Sequence, residues 1–346
     1  MKIKAARLTE PKNITIEETE LEEPKENEVV IRPEYVGICG SDVHFFENGK
    51  IGNCAVRYPF ILGHECAGTV VKVGTNVKSR KAGDRVTIEP GIPCGTCTYC
   101  KSGRYNLCPD IRFLSTPPYD GVLREAFCCR EDMTYLLPEQ VSSLEGALIE
   151  PLAVGMYAVK KGGVRPGMKA AVLGGGCIGL MTLLACKAAG ASTIFVSDLF
   201  DKRLEKAKML GATDVFASLP DTDILAACND VTDGEGFDVV FETAGNKVTA
   251  AQTSGLLKRG GTIVMVGNIV PDVSFSFRNL YLKEGQIQSV FRYRNIFPEA
   301  IKEVASGRIS VKEAATDLFA FADVQKAFEK AMNEKADVIK AVVSMK

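Results

Sequence analysis

The first part of the chain shows short stretches of hydrophobic residues that are broken every few positions. Up to about Leu137, glycine, proline and asparagine interrupt β-branched runs such as residues 28–33, 68–73 and 84–88. Runs of this length with these breaks predict short strands in an irregular, mostly β domain.

From about Glu150 onward the pattern changes to alternating strand-like and helix-like periods. Repeated strand–helix units predict a parallel sheet covered by helices, so the expected class is α/β with a mostly β first part. Strands are predicted at residues 169–173, 192–196, 237–242 and 261–266, and helices at residues 177–189, 202–210 and 247–257. Two amphipathic helices, 298–305 and 324–332, and a last strand near 338–343 follow.

Length and composition narrow the class of protein. A chain of 346 residues is long enough for two domains, and its 46% hydrophobic and 25% charged residues are typical of globular proteins. With 42 basic and 43 acidic side chains, its formal net charge is −1, which gives no net attraction to nucleic acid or an anionic membrane. The N-terminus lacks the apolar core of a signal peptide, and no apolar run reaches about 18 residues, so we expect a cytoplasmic protein.

A glycine-rich turn follows the first strand of the second part. Gly174, Gly176 and Gly179 fit the G-x-G-x-x-G pattern, with Ile178 inside it, and a predicted helix begins there. Such a turn lets the backbone approach a pyrophosphate at the N-terminus of the helix. Asp198 ends the next strand about 20 residues later, where a carboxylate can bind the adenosine ribose hydroxyls. Together these features predict a dinucleotide site.

The charge at the end of that strand bears on the choice of cofactor. Asp198 would repel the 2′-phosphate of NADP, which favours NAD. Arg203 is the counter-argument, since it could bind a phosphate, but it could equally stack on adenine or pair with a carboxylate.

Four cysteines crowd into one loop rich in glycine and proline. Cys94, Cys97, Cys100 and Cys108 can close a tetrahedral zinc shell with no open position, as structural zinc sites do. The alternatives are an iron–sulfur cluster or four unliganded thiols, and exposed thiols without a metal are a redox liability.

A second set of possible metal ligands is dispersed. The two histidines of the chain, His44 and His64, occur near Cys39, Asp42 and Glu65. Either histidine alone could be an ordinary core or loop residue. Together with the thiol and carboxylates they form the mixed ligand set of catalytic zinc sites, which leave a position for water or substrate.

These motifs, in this order, resemble the zinc-dependent medium-chain dehydrogenases over nearly the whole chain. The resemblance includes residues 39–44, 63–65, 146–155 and 174–179 and the four-cysteine loop. Within that superfamily the chain is most similar to the sorbitol (polyol) dehydrogenases, because of Glu150, residues 115–121 and residues 291–293. Alcohol dehydrogenases usually have a third zinc-ligating cysteine where Glu150 stands.

The resemblance implies a GroES-like catalytic domain formed by residues 1–150 and 286–346, with a structural-zinc lobe at about 90–110. It implies a Rossmann NAD-binding domain, a doubly wound parallel sheet, over residues 151–285. It also implies two zinc ions per chain, NAD and a homotetramer.

The resemblance further implies roles around the catalytic zinc. Cys39, His64 and Glu65 would ligate the metal, and Glu150 would reach it directly or through a water. Asp42 resembles the carboxylate that orients the histidine ligand.

Other roles implied by the resemblance concern the substrate. Ser41 and His44 resemble a hydroxyl-to-imidazole route that carries the alcohol proton toward solvent. The residues that would contact a polyol are Phe113, Thr116, Arg292 and Tyr293.

We therefore expect an enzyme that oxidises a sugar alcohol at C2 to a ketose, with the hydride passing to NAD. A related activity on L-threonine, 2,3-butanediol or another secondary alcohol is the neighbouring alternative, and a non-catalytic redox sensor is a third. The chain departs from some relatives: it retains the four-cysteine lobe that many animal sorbitol dehydrogenases lack, and Phe45 stands where some have tyrosine. The particular polyol and the physiological direction stay open.

Overall fold

The computed structural model describes residues 1–269 and 272–345. Within this part of the chain, no helix is long and apolar enough to cross a membrane. The strands are β1 Lys2–Glu10, β2 Asn13–Glu20, β3 Glu28–Gly37, β4 Lys50–Ile51, β5 Cys54–Ala55, β6 Phe60–Ile61, β7 Glu65–Val73, β8 Arg85–Ile88, β9 Gly91–Ile92, β10 Arg112–Phe113, β11 Phe127–Arg130, β12 Thr134–Leu136, β13 Lys169–Leu173, β14 Thr193–Asp198, β15 Asp214–Ala217, β16 Phe237–Glu242, β17 Leu257–Met265, β18 Gln286–Ser289, β19 Asp317–Ala320 and β20 Ala341–Ser344.

The α-helices alternate with these strands mainly after Ser142. They are α1 Gly40–Asn48, α2 Thr98–Lys101, α3 Ser143–Ala147, α4 Ile149–Gly162, α5 Cys177–Ala188, α6 Asp201–Leu210, α7 Ile224–Thr232, α8 Lys247–Leu256, α9 Phe277–Leu282, α10 Phe297–Ala305 and α11 Val324–Asn333. Short 3₁₀ turns lie at Tyr105–Leu107, Glu131–Met133, Lys312–Ala314 and Phe321–Asp323.

The chain divides into two compact units. The first contains Met1–Glu150, Phe297–Gly307 and the chain from Val311 onward, and the second contains Pro151–Ile296 and Arg308–Ser310. The sequence had assigned residues 286–296 to the catalytic domain, whereas the structure places them in the second unit. The reason is that β18 pairs in parallel with β17, so this segment adds a strand to the second sheet.

The first unit is built on a seven-stranded mixed sheet in the order β12-β8-β7-β3-β20-β19, with β11 also paired to β3. One edge of β3 pairs with β7, and the other edge is shared by two strands. On that shared edge, the first residues of β3 pair with β11 and its last residues pair with β20. Pro33 lies between the two halves, at a register shift in the pairing with β7. The core beside this sheet includes Phe46, Phe127 and Phe328, all fully buried.

The second unit has a six-stranded parallel sheet in the order β15-β14-β13-β16-β17-β18. Its central strands are buried on both faces, as in β13, where four of five residues are buried. Phe195, Phe237 and Ile263 lie in the core of this unit. The prediction of a mostly β domain together with a Rossmann sheet is confirmed. The proposed cofactor residues described below lie at or after the carboxyl ends of β13 and β14, which pair in parallel.

Candidate active site and metal centres

The four-cysteine loop brings its thiols together. The sulfur atoms of Cys94, Cys97, Cys100 and Cys108 all lie within 4.8 Å of one another. Cys97 Sγ and Cys100 Sγ are 3.4 Å apart, and Cys94 Sγ and Cys100 Sγ are 3.9 Å apart. Four sulfur donors in one cluster fit a closed, structural zinc site.

Backbone N–H groups of the same loop point at these sulfur atoms. Cys94 Sγ accepts from the amides of Thr96 and Cys97 at 3.4 Å, and Cys97 Sγ accepts from the amide of Cys100 at 3.4 Å. The Thr96 hydroxyl and these amides lower the pKa of Cys94 to about 6, whereas burial and the neighbouring thiols raise the pKa of Cys100 to about 12. The loop thus favours a thiolate at Cys94 over one at Cys100, and a bound cation would favour thiolates at both.

The dispersed ligand set also converges. The ligand atoms of Cys39, His64 and Glu65 all lie within 4.8 Å of one another, and His64 and Glu65 are buried. Cys39 immediately precedes α1, His64 follows β6, and Glu65 begins β7. Gly63 makes the turn before His64 with a φ of +93°, where a Cβ would touch Val36 and Leu123.

Asp42 holds two of these residues in place. It is fully buried, and its Oδ2 accepts from the Cys39 amide at 3.1 Å, while its Oδ1 lies 3.4 Å from His64 Nδ1. Burial would raise the pKa of Asp42, but attraction to His64 and hydrogen bonds from His64, Ser115 and the Cys39 amide lower it. Burial disfavours a charged His64, yet Asp42 outweighs this and raises the pKa of His64 well above its usual value. The contact through Nδ1 leaves Nε2 as the nitrogen for a metal.

Glu65 has a partner that the sequence did not indicate. The ammonium of Lys340 lies 2.7 Å from both carboxylate oxygens of Glu65, and it also donates to the carbonyl of Ile38 at 3.0 Å. Both side chains are almost fully buried. This ion pair compensates one negative charge of the metal-ligand cluster.

The predicted proton route lies on one helix. Ser41 and His44 are three residues apart on α1, so they share a face, with Ser41 half-buried and His44 exposed. Glu150 is buried at the start of α4 and belongs to the first unit, but it is not one of the three clustered ligands.

A loop from Phe113 to Gly121 packs against the His64 segment. The Phe113 ring contacts the His64 ring edge-on, with centroids 5.4 Å apart, and Thr116 is half-buried three residues later. Gly121 donates its amide to the carbonyl of Ile61 at 2.7 Å. Phe113 therefore lies beside the metal-ligand cluster, and Thr116 is joined to Phe113 by a hydrogen bond from its amide to the Phe113 carbonyl at 3.0 Å.

The glycine turn in the second unit has the geometry of a dinucleotide site. Gly174 has a φ of +110°, and Gly176 immediately precedes α5. A Cβ on Gly179 would lie 1.7 Å from the carbonyl oxygen of Gly174, so only glycine lets the helix pack this closely on the turn. Ile178 lies in the first turn of α5.

Asp198 and Arg203 line a cavity of about 630 Å³ together with Gly174 and Gly176. Asp198 Oδ2 accepts from the Gly175 amide at 2.7 Å, and its Oδ1 accepts from the Phe200 amide at 3.0 Å. Arg203 stacks over the Phe200 ring and lies 3.5 Å from Asp198. A cavity of this size at the carboxyl end of a parallel sheet suits a nucleotide.

Arg292 and Tyr293 belong to the second unit, after β18. Arg292 has a φ of +57° and stacks over the ring of Phe291 at 4.8 Å, and Tyr293 is buried. Burial lowers the pKa of Arg292.

Comparison with known proteins identifies the family. Residues 25–139 match the family model for the alcohol dehydrogenase GroES-like domain, and residues 177–306 match that for the zinc-binding dehydrogenase. The chain belongs to the zinc-dependent medium-chain dehydrogenases. It therefore uses zinc and a nicotinamide cofactor, as the sequence predicted.

Individual relatives cover almost the full length. The chain is 48% identical to an uncharacterized zinc-type alcohol dehydrogenase-like protein, YdjJ, of Escherichia coli, covering 100% of this chain and 99% of the relative. It is 42% identical to sorbitol dehydrogenase of Bacillus subtilis, covering 99% and 97%. A crystal structure of an E. coli oxidoreductase/dehydrogenase of unknown specificity superposes with a TM-score of 0.96 at 48% identity, covering 99% of each chain.

Proposed function

We propose that the protein is an NAD-dependent zinc polyol dehydrogenase that oxidises C2 of a sugar alcohol, of the sorbitol or xylitol type, to a ketose. The observation that carries this proposal is the convergence of Cys39, His64 and Glu65. The 42% identity to a sorbitol dehydrogenase over nearly the full length supports the polyol as substrate.

The donor set fits a catalytic zinc. It provides one thiolate, one imidazole and one carboxylate, with Glu150 completing the set directly or through a water. Zinc bound there would act as a Lewis acid that makes the substrate hydroxyl easier to deprotonate, while NAD would accept the hydride from C2. Lys340 holds the Glu65 carboxylate in place through their ion pair, and Asp42 keeps His64 in the tautomer that presents Nε2.

In this proposal Ser41 relays the proton of the substrate hydroxyl: its Oγ accepts that proton while its own hydroxyl proton passes, by way of the ribose hydroxyls of NAD, to His44, which releases a proton to solvent. The exposure of the two residues fits this direction, since Ser41 is half-buried and His44 is exposed. An imidazole has an intrinsic pKa suited to a proton relay near neutral pH.

NAD is the proposed cofactor because Asp198 lines the nucleotide cavity. Its carboxylate would accept from the ribose hydroxyls and repel a 2′-phosphate. Arg203, stacked on Phe200 beside it, would cover the adenosine rather than bind a phosphate.

Arg292 and Tyr293 are proposed to contact the polyol, together with Phe113 and Thr116. A guanidinium offers several donors to vicinal hydroxyls. A polyol offers these donors hydroxyls that a simple alcohol lacks, and hydrogen bonds to a charged group favour the polyol by about 1–3 kcal/mol.

The test is NADH formation with sorbitol, xylitol, galactitol, L-threonine, 2,3-butanediol and 2-propanol, with NADP run in parallel. We expect the polyols to have the highest kcat/KM, and Arg292→Ala to lose polyol turnover selectively by about 10-fold or more. Arg294→Ala is the matched control, because Arg294 stacks on Tyr157 and has no proposed substrate role. Equal or better turnover of 2-propanol or threonine by the wild-type protein would overturn the assignment.

A homotetramer is the proposed assembly. In the second unit, β18 forms an edge of the described sheet, and apolar side chains nearby are exposed, including Phe277, Tyr281 and Ile287. Such an edge is a common place for two copies to meet. Light scattering should give about four chain masses, and Ile287→Lys should reduce this mass; a monomer in the wild-type protein would contradict the proposal.

A further inference from the structure

Ser115, which has no part in the proposed function, forms hydrogen bonds beside the metal-ligand cluster. Ser115 is 2% exposed, and its Oγ donates to Asp42 Oδ1 at 2.5 Å and accepts from the Gly63 amide at 2.9 Å. Both hydrogen-bonding capacities of this buried hydroxyl are therefore used.

The oxygen that Ser115 contacts is the one facing the histidine ligand. Asp42 Oδ1 lies 3.4 Å from His64 Nδ1 and accepts from the Gly63 amide at 3.3 Å. The Ser115 hydroxyl is the closest of these three neighbours. In a fully buried network, a short hydrogen bond from a hydroxyl to a carboxylate strongly restricts where that oxygen can lie. Ser115 therefore affects the position of the His64 ring through one shared atom, Asp42 Oδ1.

The backbone of Ser115 is in an unusual conformation. Its φ is +62°, a region that glycine occupies readily and serine does not. The loop is fixed at its other end, where a Cβ on Gly121 would lie 2.4 Å from the carbonyl oxygens of Leu62 and Gly63. A glycine at position 115 would suit the backbone better, and the distinctive contribution of the serine is its hydroxyl.

We propose that Ser115 is a positioning residue for the catalytic metal, which rests on the proposed zinc function of Cys39, His64 and Glu65. Its hydroxyl fixes Asp42, and Asp42 fixes the imidazole that binds the metal. Because Ser115 lies between Phe113 and Thr116, the same side chain ties the proposed substrate loop to the metal ligands.

The experiment measures zinc loss from the holoenzyme under EDTA competition, by elemental analysis at successive times. Ser115→Ala removes the hydroxyl and keeps the left-handed backbone, whereas Ser115→Gly removes the hydroxyl and relaxes the backbone. Losing the direct partner of a ligating histidine typically costs about 10- to 100-fold in metal affinity. Because Ser115 acts one step further out, through Asp42, we expect one zinc per chain to leave about 10-fold faster in both variants. The zinc of the four-cysteine loop is an internal control and should leave at the wild-type rate.

Replacing zinc with cobalt gives a second measurement, the visible absorption spectrum, which a general loss of stability would not change. The visible absorption of cobalt reports ligand geometry, and we expect it to change in both Ser115 variants. Thr87→Val is the matched control, because the Thr87 hydroxyl is fully buried in the same unit but donates to the carbonyl of Cys66. Its cobalt spectrum and zinc release should match the wild type.

The possible results distinguish a failure of the proposed role of Ser115 from a failure of the proposed function. Two zinc ions in the wild type, with release and spectra unchanged in both Ser115 variants, would overturn the role of Ser115 alone. Faster release in Ser115→Ala but not in Ser115→Gly would show that the backbone, not the hydroxyl, matters, and would also overturn it. A wild-type protein that holds only the four-cysteine zinc would contradict the proposed function itself.

Discussion

Glu89 is a buried carboxyl whose ionisation should make the stability of the first unit depend on pH. It follows β8, is 2% exposed, and accepts hydrogen bonds at 2.8 Å from the hydroxyls of Tyr105 and Tyr135. Tyr105 lies between Cys100 and Cys108, so Glu89 also anchors the four-cysteine loop. Burial raises the pKa of Glu89 from 4.5 to about 7, although both tyrosines oppose the rise.

Because the pKa of Glu89 is raised on folding, its contribution to stability should decrease as pH rises. The folded protein holds a proton that the unfolded chain releases, so the stability contributed by Glu89 is fully present below pH 4.5 and is lost as pH rises through about 7. The full difference corresponds to about 3 kcal/mol, since one pKa unit is worth about 1.4 kcal/mol.

Glu89→Gln removes this titration with little change in shape, because the amide can still bond to both tyrosines. We expect the difference in unfolding free energy, variant minus wild type, to rise by about 2–3 kcal/mol from about pH 5 to about pH 8.5. Denaturant unfolding followed by far-UV circular dichroism measures this difference.

Glu131→Gln is the control, because the pKa of Glu131 is shifted in the opposite direction to that of Glu89. Hydrogen bonds from the amide and hydroxyl of Ser79 and the amide of Lys78 lower the pKa of Glu131, although partial burial opposes them. Its contribution is therefore present above pH 4.5 and is lost as pH falls further, so the Glu131→Gln difference should change only below about pH 5 and stay nearly flat from about pH 5 to about pH 8.5. A pH-independent difference for Glu89→Gln would refute the reasoning.

Three further predictions concern other sites. Cys97→Ser should lose about one zinc per chain and much thermal stability, because a structural site of four thiolates orders its loop; unchanged zinc content and melting temperature would exclude that site. Asp198→Ala should lose much of the preference for NAD, measured as the ratio of kcat/KM for NAD and NADP, and a wild-type preference for NADP would refute the assigned role. Lys340→Met should lower the unfolding free energy of metal-stripped protein by about 3 kcal/mol, since it leaves Glu65 buried without its cation; unchanged urea unfolding would contradict this.

Much of the fold could be predicted from periodicity. The sequence placed four of the six strands of the second unit, β13, β14, β16 and β17, to within a few residues at each end, because buried parallel strands are short, apolar and bounded by turns. It did not predict strands β15 and β18 or helices α4, α7 and α9, and it assigned residues 286–296, which include β18, to the other unit. The pairing of β18 with β17 depends on tertiary contacts that a local pattern does not contain.

The candidate site was predictable where its chemistry is local or distinctive. Cysteine spacing and the glycine turn mark their sites within a few residues. Lys340 and Ser115 were missed because each reaches its partner across a long stretch of chain: 275 residues separate Lys340 from Glu65, and 73 separate Ser115 from Asp42. Lys340 lies in no motif, and although Ser115 begins the 115–121 segment used for the resemblance, nothing local to it indicates a contact with Asp42.

The central claim is that Cys39, His64 and Glu65 hold a zinc on which polyol oxidation depends. Its most direct test counts zinc per chain and measures sorbitol- and xylitol-dependent NADH formation in the same preparations of wild-type and His64→Ala protein. The account predicts two zinc ions and turnover in the wild type, and one zinc, a retained fold and no turnover in the variant. A variant that keeps both zinc ions, or that turns over the polyols at the wild-type rate, would contradict it.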